Sequence, residues 1–355
     1  MPNRLLLLFS VLLLSLTSVY AQRLPTKEPH QYKKVLLLMG TRFELAAVSK
    51  DEQLAWESIQ AGISEIRRIE ALISEWQPTS QTSAINRNAG IKPVVVDPEL
   101  YDLISRCIRL SRLTGGAFDI SFAAIDKVWR FDGSMNKLPS QEEVAASVRK
   151  IGYEKILLNP ADHSVFLKEP GMKIGFGAIG KGYAANRARD VMREMGIAGG
   201  VVNAAGDLTT WGRQADGESW YVGIADPAEK EKVFSWLTAD NIAVVTSGNY
   251  EKYAEVDGKR YSHIIDPRTG WPATGLKSVT IVCPNAELAD ALATSVSVMG
   301  AEQGLSLINQ LKGVECLLIT DNNDVITSDK LHLHYYKSKP NAAAAVSINA
   351  TEKQP

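Results

Sequence analysis

From residue 155 onward the sequence alternates short β-branched runs with stretches of helical spacing, and this alternation limits the fold more than any other feature. KILLN, SVFLK and GMKIGF predict strands, and KGYAANRARDVMREMG predicts a helix ending at Gly196. GGVVNAAGDLTTWG and SWYVGIADP read as strands joined by turns. AVVTSGNYEKYAEVDGKRYSHIID predicts a hairpin turning at Asp257-Gly258. KSVTIVCP is a buried strand, followed by the helix AELADALATSVSVMG. Strands that succeed one another through turns do not make a regular βαβ array. The expected fold is α+β: a compact domain with mixed, largely antiparallel sheets flanked by helices, built as one body or as two subdomains with the site between them.

The first half supplies more helix. KVLLLMGTRFELAAV, residues 34–48, reads as a strand pair or one bent strand, broken at Met39-Gly40-Thr41. Residues 50–75 place Leu54, Ile59, Ile63, Ile66, Ile69, Leu72 and Ile73 at helical spacing, which predicts a long amphipathic helix ending near Trp76. QPTSQTSAINRNAG is expected to be polar loop, 98–114 a second helix, and 140–150 a third with Ser140 as N-cap and Glu143 three residues on.

The N-terminus carries a targeting pattern. Arg4 precedes LLLLFSVLLLSLTSVYA, which ends in Val19-Tyr20-Ala21, the layout of a secretory signal peptide cleaved near Ala21. A retained anchor is the other reading, although the run is shorter than the ~20 apolar residues of a membrane span. The expected organisation is signal peptide 1–21, linker 22–33, a single domain 34–337 and a disordered tail 338–355, in an exported protein. The site of action is then periplasmic or on the outer face of the inner membrane. A formal net charge of −1 gives no support for a nucleic-acid partner. Three cysteines, Cys107, Cys283 and Cys316, are too few and too scattered for a disulfide scaffold or a zinc cluster, and their apolar surroundings make them buried thiols.

Four stretches carry chemistry, each with a plainer alternative. GFGAIGKG, Gly175 to Gly182, nearly spells a Walker A loop, but Gly182 stands where the metal-binding Ser or Thr belongs. It is either an anion site at a helix N-terminus with Lys181 as its cation, or a tight turn. Asp290 and Thr294 lie one helical turn apart and could hold a hard cation such as Mg²⁺. Otherwise Asp290 is a first-turn carboxylate favouring the helix dipole. His263, before the turn sequence Asp266-Pro267-Arg268-Thr269-Gly270, is a general base or a structural histidine. Ala117-Phe118-Asp119 offers a ring and a carboxylate to a heterocycle, or a core phenylalanine at a helix end.

In order, Met39-Gly40-Thr41, Glu75-Trp76 with the Ser83…Asn86 loop, Gly116 to Asp119, Gly175 to Gly182, Asn203 to Asp207, Thr246 to Tyr250, His263 to Gly270 and Ala289 to Thr294 resemble the ApbE family of FAD:protein FMN transferases. The resemblance spans about residues 34–335. It implies FAD as substrate, with Mg²⁺ held by Asp290, Thr294 and the carbonyl of Ala178. Cofactor contacts are implied from Met39, Trp76, Ala117, Phe118, Asp119, Gly175, Lys181 and Ile264. His263 would deprotonate a threonine or serine hydroxyl of an acceptor protein, which attacks the FMN phosphorus as AMP leaves. The family's usual acceptors are subunits of membrane redox complexes that carry covalent FMN. An FAD pyrophosphatase and a non-catalytic periplasmic flavin-binding protein are the alternatives. Two positions depart from the family pattern: Gly175 where an Asp is common, and NAAGD where NxGGD is common. The second is a small-for-small change with little expected effect.

Overall fold

A computed structural model describes residues 28–125, 128–225, 233–249, 252–335 and 345–347. The expected signal peptide and cleavage site lie outside the described residues, as does most of the expected tail. In chain order the elements are β1 (His30–Leu38), β2 (Thr41–Ser49), α1 (Glu52–Ile73), α2 (Gln81–Arg87), β3 (Val94–Val95), α3 (Pro98–Leu113), α4 (Gln141–Ser147), β4 (Ile156–Asn159) and β5 (Ser164–Leu167). They continue with α5 (Gly180–Glu194), β6 (Gly199–Ala204), β7 (Asp207–Trp211), β8 (Tyr221–Ala225), β9 (Val233–Thr238) and β10 (Ala243–Gly248). Then come β11 (Tyr253–Val256), β12 (Lys259–Ser262), β13 (Leu276–Cys283), α6 (Ala286–Met299), α7 (Ala301–Gln310), β14 (Glu315–Thr320), β15 (Val325–Thr327), β16 (His334–Tyr335) and β17 (Ala345–Ser347).

An eight-stranded sheet in the order β1-β2-β6-β7-β10-β13-β14-β15 is the frame. Its pairings are antiparallel throughout. Successive side chains on a strand face opposite ways, and the core divides on that period. Leu45, Ala47 and Val202 face α1, α3 and α5, where Ile59, Ile63, Ile66, Ile104 and Met192 are buried. Their neighbours Ala46, Val48 and Val201 face the small sheet β16-β9-β8-β17, against Trp220, Val222 and Leu237. On β13 and β14, Ile281 and Leu318 pack under α6 and α7 while Val282, Leu317 and Ile319 point the other way. Helices on one face and a second sheet on the other make the α+β layering expected. Among the described residues no helix is long and apolar enough to cross a membrane.

Locally encoded features agree with expectation. α1 is capped by Asp51, and α4 opens on a full capping box between Ser140 and Glu143. The hairpin β11–β12 turns at Asp257-Gly258. Four expectations need correction. Ordered structure starts at His30, inside the supposed linker. Ala345–Ser347, in the supposed disordered tail, pair in parallel with β8. The polar loop after Trp76 contains α2, because Ser80 caps it and Thr82, Ser83 and Ile85 give it a buried face.

GMKIGF, expected to be a strand, joins no sheet. Asn86 on α2 clamps Ile174 instead, accepting from its N–H at 2.8 Å and donating to its carbonyl at 3.0 Å. The N–H of Gly175 donates to the carbonyl of Ile120 at 2.9 Å. Main-chain groups must find partners, and here a side chain replaces the ladder. α2 thereby fixes the glycine loop in place.

Candidate functional site

A cavity of about 460 Å³ opens where these loops meet. Its walls come from the end of α1, the turn after α3, the glycine loop, the β6–β7 turn, the end of β10, the segment after β12, and α6. Trp76, Ala117, Phe118, Asp119, Gly175, Ala178, Lys181, His263, Ile264, Asp290 and Thr294 all line it. Met39 does not. It lies in the β1–β2 turn with its side chain over Gly180, packed on the helical core.

The glycine loop ends in α5, whose N-terminus has no side-chain cap. The N–H of Gly182 donates instead to Oδ2 of Asp290 on α6 at 3.0 Å. A Cβ on Gly182 would stand 2.1 Å from the carbonyl oxygen of Ala286. The two helices approach too closely there for any side chain, so Gly182 is a packing requirement and not a metal ligand. The anion at this helix N-terminus is the protein's own carboxylate.

Asp290 is 2% exposed and lies beyond the first turn of α6, which is capped by Asn285. Lys181 places its Nζ 2.7 Å from Oδ2 of Asp207 and 3.8 Å from Oδ1 of Asp290. A buried carboxylate needs compensation of this kind. On the next turn of α6, Ser295 and Ser297 return their hydroxyls to the carbonyls of Ala291 and Ala293, whereas Thr294 lines the cavity. Asp290, Thr294 and the Ala178 segment thus offer oxygen donors suited to a hard cation. Among the described residues there is no cluster of three His, Cys, Asp or Glu side chains that could hold a metal. A cation here would depend on hydroxyl and carbonyl oxygens.

At the other end of the cavity, Phe118 is buried and Trp76 stands 78% exposed at the rim. Asp119 is buried, and both its oxygens accept from the protein. Oδ1 accepts from the N–H and hydroxyl of Ser121, and Oδ2 from the N–H of Tyr153. Burial lifts its carboxyl above the ordinary value, and these bonds act against that. The carboxylate shapes the turn that carries Ala117 and Phe118 into the wall.

His263 follows β12, half-buried in the cavity wall. Its Nδ1 lies 3.0 Å from the carbonyl oxygen of Lys252, and its N–H donates to the same oxygen at 3.1 Å. A carbonyl only accepts, so Nδ1 carries a proton, and in the neutral ring Nε2 is the basic nitrogen. The turn beyond is rigid. Arg268 forks onto Asp266 at 2.9 and 2.8 Å, and the N–H of Gly270 donates to the carbonyl of Asp266 at 2.8 Å. Trp129 donates to the carbonyl of Gly270 at 2.9 Å. Ile264, Ile265 and Pro267 are held against the cavity by these bonds.

Two acidic residues at the site had no role from sequence reasoning. Asp207 holds Lys181, and the signal for it was its place at the end of the Asn203 to Asp207 block. Glu75, beside Trp76, presents its carboxyl to the cavity. The Gly175 departure is also accounted for sterically. A Cβ there would meet Glu75 Oε2 at 2.5 Å, so Glu75 occupies the space beside it. The NAAGD turn is less neutral than expected: Ala205 has φ +51° and Gly206 φ +104°, so an alanine sits in the left-handed region.

A model described as the ApbE family matches residues 39–318. The chain is similar to a FAD:protein FMN transferase of Klebsiella pneumoniae (strain 342), 32% identical over 306 residues, covering 86% of this chain and 94% of that protein. It is 31% identical over 317 residues to a FAD:protein FMN transferase of Treponema pallidum (strain Nichols), covering 84% and 87%. Among solved structures, the ApbE protein of Thermotoga maritima superposes with a TM-score of 0.77 at 31% identity, covering 84% of this chain and 97% of its own. The flavin transferase ApbE of Vibrio cholerae gives 0.74 at 25% identity, covering 85% and 98%.

Proposed function

The chain belongs to the ApbE family and is an FAD:protein FMN transferase; from that premise we propose that it moves FMN from FAD onto a threonine or serine hydroxyl of an acceptor protein, with release of AMP. The observation that carries this reading is the placement of His263, its Nδ1 3.0 Å from the Lys252 carbonyl oxygen and its ring in the cavity wall. With Nδ1–H donated to the Lys252 carbonyl, Nε2 is a base on the wall of the cavity that also holds Lys181. Nε2 takes the proton of the acceptor hydroxyl. The oxygen forms a bond to the FMN phosphorus, the bond from that phosphorus to the AMP oxygen breaks, and AMP carries away the electron pair. Lys181 sits where it can shift from Asp207 toward the pyrophosphate.

Asp290, Thr294 and the carbonyl of Ala178 are the residues that would hold Mg²⁺. The oxygen chemistry of that set fits the ion, which when bound would offset charge building on the pyrophosphate. Trp76, Ala117, Phe118 and Ile264 supply apolar and aromatic surface for the rings of FAD. The N-terminal pattern supports export with cleavage near Ala21, a mature chain acting in the periplasm or on the outer face of the inner membrane, and an acceptor within a membrane redox complex.

The test is to incubate the protein with FAD and Mg²⁺, with and without acceptor, and to quantify AMP and free FMN. AMP formed in step with acceptor-bound flavin is expected. AMP accompanied by an equal amount of free FMN, whatever the acceptor, would make the protein a pyrophosphatase. FAD left intact with Mg²⁺ present would make it a flavin-binding protein.

A further inference from the structure

Four carboxyl groups line the cavity: Glu75, Asp119, Asp207 and Asp290. Three are committed. Asp119 is bound by main-chain and hydroxyl donors, Asp207 is paired with Lys181, and Asp290 is bound to the Gly182 N–H. The carboxyl of Glu75 has no hydrogen-bond partner among the described residues, although Lys173 lies near enough to act on it by charge. Half-buried in the cavity wall, it is the one of the four carboxyls with no hydrogen bond or ion pair from the protein among the described residues.

Its position is set by Gly175. Glu75 Oε2 lies 2.5 Å, and Cδ 2.9 Å, from where a Cβ at position 175 would stand. The far wall of the same niche is Ala123, whose Cβ would be 3.0 Å away. A side chain at position 175 and the Glu75 carboxyl in its present place would therefore compete for one niche. Its main chain is pinned on both sides. The Glu75 carbonyl accepts from Ser83 at 3.1 Å, and the Gly175 N–H is held by Ile120.

We propose that Glu75 is a substrate-binding residue, its carboxyl reaching across Gly175 to accept a hydrogen bond from an N–H or O–H donor of bound FAD. The inference rests on the transferase reading for the identity of the ligand. Trp76, the next residue, brings an indole to the same rim, so ring and carboxyl act on one part of the ligand.

The test is FAD affinity, read by flavin fluorescence, for full-length variants. Glu75→Ala should weaken binding about tenfold, the scale of one hydrogen bond in a cavity. Glu75→Gln keeps an oxygen acceptor in the same volume and should retain most of the affinity. Gly175→Asp forces two carboxyls into one niche and should weaken binding, whereas Glu75→Ala combined with Gly175→Asp should recover to within about threefold of wild type. FMN and AMP measured as separate probes locate the donor on one half of FAD or the other. Unchanged FAD binding in Glu75→Ala, in a protein whose wild type binds FAD, overturns this inference and leaves the transferase reading intact. Should Glu75→Ala misfold, failure of the Gly175→Asp double variant of lowered affinity to outbind Gly175→Asp alone overturns it equally. Wild type that binds no FAD at all would overturn both.

Discussion

The main-chain N–H of Gly182 donates to Oδ2 of Asp290 at 3.0 Å, joining the start of one helix to the middle of another across 108 residues of sequence. That bond explains why a loop so close to a Walker A motif lacks the hydroxyl the motif requires. The carboxylate of Asp290 arrives from α6 instead, and its approach leaves room only for a glycine.

Writing the missing hydroxyl back in should therefore damage the protein. Gly182→Ser puts a Cβ 2.1 Å from the Ala286 carbonyl oxygen, which is backbone and cannot move aside alone. A loss of about 3 kcal/mol or more is expected, the upper range for overpacking. Denaturant unfolding measures it. A variant as stable as wild type would mean that the helices do not meet this closely.

Ala205 offers the opposite change. It occupies the left-handed region in a two-residue turn between β6 and β7, with Gly206 also at positive φ and its N–H held by Asn203 at 2.9 Å. Ala205→Gly relieves strain of about 1 kcal/mol, and the melting temperature should rise. A lower melting temperature would show that the unfolded chain's added freedom outweighs the relief.

Asp290→Asn separates structure from charge. The amide oxygen still accepts from Gly182, so stability should change by less than about 1 kcal/mol. Stimulation of transfer by Mg²⁺ should disappear, with a rate loss of about a hundredfold. Retained stimulation would place the ion elsewhere.

Glu75 gives a dependence on pH. Burial lifts its carboxyl above the ordinary 4.5, and nearby Lys173 only partly opposes this. A carboxyl with a raised folded pKa favours folding while protonated, and that contribution is lost as pH rises through the folded value. Glu75→Gln, always neutral, should therefore gain melting temperature over wild type above the carboxylate range and not below it. A difference independent of pH would contradict this.

What was legible in the sequence was local or periodic. The spacing of Ile59, Ile63 and Ile66, the Ser140–Glu143 box and the Asp257-Gly258 turn each needs only neighbours in the chain to act. The motif blocks brought eleven of the twelve expected site residues to one cavity, with Met39 outside its lining. What was not legible depended on distant partners. GMKIGF has the composition of a strand, but Asn86, 88 residues away, takes its hydrogen bonds. The bonds that Ser121 and Tyr153 donate to Asp119 were likewise not visible, Tyr153 lying 34 residues away. Glu75 becomes visible only when Gly175 is placed beside it.

The transfer step itself is tested most directly by the mass of the acceptor. Wild-type protein, FAD, Mg²⁺ and a threonine-bearing acceptor domain should yield an acceptor heavier by FMN less one water. His263→Ala should still bind FAD yet leave the acceptor mass unchanged, because the Nε2 base is gone while the cavity remains. An unmodified acceptor with wild-type protein, alongside free FMN, would contradict the account.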